Sequence, residues 1–85
     1  MTEELKGELQ KSKRVLENYR WFGKRVEEAI AALDIIDRYI DDPTPEERPR
    51  IVEIVTQMRE ELGPYKGFVP VVVDTMSKVQ EWLDT

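Results

Sequence analysis

The chain contains neither cysteine nor histidine. The first absence excludes a disulfide framework and a thiolate metal site, so the redox compartment is not encoded. The second removes the commonest general base and the commonest metal ligand together, leaving carboxylates, lysines, hydroxyls and three tyrosines for any chemistry. No apolar run approaches the roughly 20 residues needed to cross a bilayer, and the opening "MTEELKGELQKSK" is too polar for a signal peptide. A cytoplasmic protein with no membrane partner is the expectation. Nucleophile–base pairs and phosphate-cradling glycine loops are also missing, so the chain reads as a non-enzyme without a cofactor. Aromatics are sparse, and three of the seven fall in one stretch, "NYRWFGKR", Asn18 to Arg25.

Eighty-five residues make one domain, near the size where burial only just offsets chain entropy. The formal charge of −5 is unevenly placed. Lys11, Lys13, Arg14, Arg20, Lys24 and Arg25 face Glu17 alone within residues 11–25, a basic collar on an otherwise acidic chain. Such a collar points to an acidic partner, either a nucleic acid or the acidic half of another copy.

From Leu5, the positions Leu5, Leu9, Ser12, Leu16, Tyr19, Gly23, Val26, Ile30, Leu33, Asp37 and Ile40 advance by alternating steps of four and three. That spacing predicts one helix with a continuous seam over about residues 3–41. Three prolines in "DDPTPEERP" close it. Thr44 and Glu47 have capping-box spacing, and a second helix is expected over 49–62, burying Ile51, Val55, Met58 and Leu62 before the Gly63–Pro64 stop. "FVPVVV" reads locally as strand, but Val69, Val72, Val73, Met76, Val79 and Leu83 are spaced as a third helix over 69–83. The fold class is therefore all-α, a long N-terminal helix followed by a C-terminal helical hairpin.

The lengths do not match. A first helix of 39 residues is about 58 Å long at 1.5 Å per residue, and the shorter helices cover only its C-terminal half. Either it breaks at Gly23 and folds back into a four-helix bundle, or it stays straight and buries its overhang against another chain. A single glycine within a helix costs only about 1 kcal/mol, so the straight helix and a homodimer are the favoured expectation. Leu9, Leu16 and Tyr19 then form the oligomer seam. Trp21 points outward with Arg14 and Arg25, seven and four residues away, as a partner-binding patch. The alternative is a nucleic-acid accessory using Lys11, Lys13, Arg14, Arg20, Lys24 and Arg25 on phosphates. Asp34, Asp37 and Asp41 share a helix face that could hold a hard cation, but a solvated helix end paired with Arg38 is the expected reading.

The run "KSKRVLENYRWFGKRVEEAI", with its basic residues and "NYRW", resembles the N-terminal helical segment of phage late transcription regulators of the ArpU and RinA kind. The resemblance covers residues 11–30. It implies a small phage or prophage accessory protein with a regulatory or assembly role. The helix-turn-helix of that family has no counterpart between Ile51 and Leu83. The sequence thus predicts a small helical protein–protein interaction or assembly module.

Overall fold

The computed structural model describes residues 2–85 and is all-helical. Four α-helices follow one another: α1 (Thr2–Glu17), α2 (Lys24–Asp41), α3 (Arg48–Leu62) and α4 (Pro70–Asp84). Helix α1 packs against both α2 and α4, and α3 packs closely on α4 and more sparingly on α2. The whole measures 35 × 22 × 18 Å, far shorter than a straight 39-residue helix.

The expected single helix over 3–41 is therefore two helices. After Glu17 the hydrogen bonding tightens, with Tyr19 N–H donating to Leu16 O at 2.9 Å, Phe22 N–H to Tyr19 O at 2.8 Å and Gly23 N–H to Arg20 O at 3.2 Å. A 3₁₀ turn over Arg20–Phe22 ends at Gly23, whose φ of 131° and ψ of −170° lie in a region essentially restricted to glycine. The cost of one glycine in a helix was the wrong quantity to weigh. Folding back buries Leu5, Leu9 and Leu16, each worth about 1.5–3 kcal/mol, and this exceeds the few backbone bonds rearranged at the bend. Leu9 is 0% exposed and Leu16 2% within the single chain. The proposed seam is thus the chain's own core, closed by α2 and α4, and Tyr19 is half-buried against it.

The remaining elements follow their local chemistry. The Thr44 hydroxyl donates to the Glu47 carboxylate at 3.0 Å while Glu47 N–H donates to Thr44 Oγ1 at 3.3 Å. This reciprocal pair orders the turn before α3, and Pro49 sits in the first helical turn, where its missing N–H costs nothing. Pro70 opens α4 in the same way, and Val72, Met76, Val79 and Leu83 are buried on its inner face. Two hydroxyls lie in the core. Ser12 donates to Thr75 Oγ1 at 2.8 Å, and Thr75 donates to Val71 O at 2.8 Å, so neither donor is orphaned. At the end of the molecule where α4 finishes, Tyr39 and Trp82 meet edge to face with ring centroids 6.0 Å apart, and the Arg48 guanidinium donates to Leu83 O.

Candidate protein-docking groove

Helices α2 and α3 pack less closely than the other neighbouring helices, and α2 presents alanines to the space between them. Ala29 and Ala32, three residues apart and half-buried, face α3 with side chains too short to reach across. The result is an apolar groove of about 600 Å³. Val26, Ala29, Ala32 and Ile35 form one wall, and Ile54, Met58 and Leu62 form the other. Arg25, Glu28, Gln57 and Glu61 provide its polar rims.

One end of the groove is an aromatic mouth. It is assembled from the two connections that meet there, the bend between α1 and α2 and the segment between α3 and α4. Trp21, Phe22 and Phe68 are 77%, 61% and 71% exposed, and Tyr65 is 42% exposed. Neighbouring rings hold one another: Trp21 and Phe22 lie 5.7 Å apart edge to face, Trp21 and Tyr19 6.3 Å apart, and Phe22 and Tyr65 6.3 Å apart. Trp21 Nε1–H donates to Asn18 O at 2.9 Å, which fixes the indole without burying it. Four exposed aromatics on one end of an 85-residue chain form a contiguous apolar surface of the kind that marks an interaction site.

The structure redistributes the sequence-predicted site. The helical spacing that joined Arg14, Trp21 and Arg25 holds only in an unbroken helix. Arg25 lines the groove beside Trp21, whereas Arg14 is exposed on α1 outside its lining. The basic collar is likewise dispersed. Lys13 pairs with Asp34 of α2 at 2.5 Å. Lys11 lies on the α1–α4 side with Glu4, Glu8, Lys78 and Glu81, where Lys78 pairs with Glu8 at 3.8 Å. Arg20, Lys24 and Arg25 stay together at the bend, and of these Arg25 lines the groove. Six cations on one helix would have made a phosphate track, but after the fold-back they belong to three surfaces.

The same fold-back answers the aspartates of α2. Lys6 pairs with Asp41 and lies 4.0 Å from Asp37, and Lys13 holds Asp34. The partners are α1 lysines and not Arg38, whose Nε–H instead donates to the Asp34 carbonyl at 3.4 Å. The hydrogen bond that Lys6 donates to Asp41 raises the Lys6 ammonium above its ordinary lysine pKa, against a smaller opposing effect of desolvation. Asp34 does the same for Lys13. Among the described residues no cluster of three metal-ligating side chains is present, and no helix is long and apolar enough to cross a membrane.

Sequence reasoning missed Tyr65, Phe68, Ala29 and Ala32. The signals were present in "GPYKGF", two aromatics in a glycine-rich connection, and in "EEAIAAL", whose small residues lie beside the seam positions. Comparison with protein-family models, curated proteins and solved structures finds nothing that matches this chain.

Proposed function

We propose that this protein is a non-enzymatic interaction module that docks another protein in the groove between α2 and α3. The observation that carries this reading is the convergence of Trp21, Phe22, Tyr65 and Phe68, all exposed, on the mouth of an apolar groove. Aromatic anchors around a preformed concavity are what concentrate binding energy in an interface. Burying Trp21, Phe22 and Phe68 supplies roughly 1.5–3 kcal/mol each before ordering costs. The four helices read as a four-helix bundle acting as a rigid frame for that surface. The resemblance of residues 11–30 to phage late transcription regulators agrees with a regulatory or assembly accessory, and no DNA-reading residue is carried over from it.

The nucleic-acid reading has less support. Lys13 is engaged with Asp34, Lys11 and Arg14 lie outside the groove's lining, and Glu28 and Glu61 stand on the groove rims. A polyanion finds four cations on the two connections around the mouth, Lys66 included, and carboxylates beyond them. The test is parallel affinity capture with the wild type, Trp21→Ser, Phe68→Ser and the remote Lys11→Ala, with and without nuclease. Docking in the groove requires a protein that survives nuclease, is retained by Lys11→Ala and is lost with both aromatic variants. Capture that is abolished by nuclease supports the nucleic-acid reading instead.

A further inference from the structure

We infer that the occupant of the groove is an amphipathic helix of another protein, carrying carboxylates at the end that sits in the aromatic mouth. The inference rests on the docking reading and adds the chemistry of the partner. It begins with an asymmetry of charge. Residues 18–25 contain Arg20, Lys24 and Arg25 and no carboxylate, and residues 63–69 contain Lys66 and no carboxylate. The Phe22–Tyr65 contact brings these two connections to the same end of the molecule. The two connections that frame the mouth therefore carry four cations and no carboxylate, and Arg25 of these lines the groove itself. One turn further along α2 the sign reverses, with Glu28 on one rim and Glu61 on the other.

The shape selects a helix. From Val26 to Ile35 the α2 wall runs about 14 Å at 1.5 Å per residue, the span of some ten helical residues. Helix-in-groove recognition uses apolar anchors at i, i+3 or i+4, and i+7, which this length accommodates. The alanine wall admits close approach of a backbone, and the facing wall of Ile54, Met58 and Leu62 receives the anchors. A helix laid here places one terminus beside Arg25 and against the connections that carry Arg20, Lys24 and Lys66. The turn after that meets Glu28 and Glu61, so the occupant carries amides or cations there.

Charge also argues against a second copy of this chain. A symmetric contact through the mouth sets four cations against four, which like-charge repulsion disfavours. A head-to-tail contact can offer acidic residues such as Asp41, Asp42, Glu46 and Glu47, but the large exposed hydrophobics among the described residues are Trp21, Phe22, Val52, Tyr65 and Phe68. Apart from Val52 these all belong to the mouth itself, so the opposite end, where α3 begins, supplies charge with one small apolar side chain and no aromatic anchor.

The experiment is selection from a displayed library of random 16-residue peptides against the full chain. Enriched peptides are then synthesised and measured by fluorescence anisotropy against the wild type, Ala32→Glu and Lys24→Glu/Arg25→Glu. Circular dichroism and thermal melts establish that each variant is folded. The proposal expects apolar residues at i, i+4 and i+7 with at least two Asp or Glu at one end. It also expects at least tenfold weaker binding to Ala32→Glu and at least fivefold weaker binding to the charge-reversed variant. Groove-dependent peptides that are neutral or basic at both ends overturn the charge assignment while leaving the docking reading in place. Peptides insensitive to Ala32→Glu overturn both. Vesicles of 30% phosphatidylserine in phosphatidylcholine are tested in parallel. Sedimentation of the protein with them, lost in Trp21→Ser, together with no helical peptide selected, assigns the mouth to a lipid surface and overturns the proposal.

Discussion

Replacing Gly23 with alanine isolates the bend on which the fold depends. A Cβ built at Gly23 meets no atom within 4 Å beyond its two chain neighbours, so the substitution adds no clash with the rest of the fold. What it opposes is the backbone, held at φ 131° and ψ −170°. An L-residue in this region costs about 1–3 kcal/mol. With an unfolding entropy of about 2.1 cal/mol/K per residue, the melting temperature of an 85-residue domain falls by roughly 6–17 °C. Gly7 is the matched control. It also has nothing within 4 Å of a built Cβ, but it lies within α1. Alanine there removes the entropic cost of glycine in a helix and stabilises by about 0.5–1 kcal/mol. Two Gly→Ala changes with equally open surroundings should therefore move stability in opposite directions. Urea titrations with a shared slope, supported by thermal melts, measure both. A melting temperature for Gly23→Ala within about 2 °C of the wild type refutes the bend as described.

Other expectations follow from the packing and from the ion pairs. Leu9→Ala, at a position 0% exposed, should cost about 2–5 kcal/mol in urea unfolding, whereas an intermolecular seam would make the loss depend on protein concentration. Trp21→Ala should change stability by less than about 1 kcal/mol because the indole is 77% exposed, and a large loss would place Trp21 in the folding core. Thr75→Val leaves the Ser12 hydroxyl without its acceptor and should cost about 1–2 kcal/mol. The double variant Ser12→Ala/Thr75→Val should be less destabilised than the two singles added together, and strict additivity would show that the hydroxyls do not interact. The raised pKa values of Lys6 and Lys13 mean that their contribution is fully present below the unfolded lysine pKa and is lost as pH rises through the folded values. As pH rises above the ordinary lysine value of 10.5 the wild type should therefore lose more stability than a Lys13→Met variant, and parallel pH curves would show that the pair is uncoupled from folding.

The all-helical character was legible from apolar spacing and from the proline punctuation, and "FVPVVV" was readable as the start of α4 because its inner face recurs at helical steps. The break at Gly23 was not legible. Leu16 on α1 and Ile30 on α2 keep the phase of one uninterrupted helix, so the pattern of apolar residues is identical whether the chain runs straight or doubles back. What distinguishes the two states is where Leu5 and Leu9 find their cover, and that depends on α4, which lies more than sixty residues away in sequence. The functional surface was hidden for the same reason. Trp21 could be identified as outward-facing from its place beside the seam. Its companions Tyr65 and Phe68 come from a connection that only the tertiary fold brings to the same end. The alanines at 29 and 32 lie beside the expected seam positions Ile30 and Leu33, and sequence spacing does not disclose that they line a gap against α3.

The claim that the α2–α3 groove is where this protein meets its partner is tested most directly by site-specific photo-crosslinking in its native cell lysate. A benzoylphenylalanine placed at Phe68, in the mouth, is compared with one placed at Lys11, between α1 and α4. The account predicts a discrete nuclease-resistant protein adduct from position 68 that disappears when Ala32→Glu is added, and none from position 11. Equal adducts from both positions, or an adduct at 68 that persists with Ala32→Glu, would contradict it.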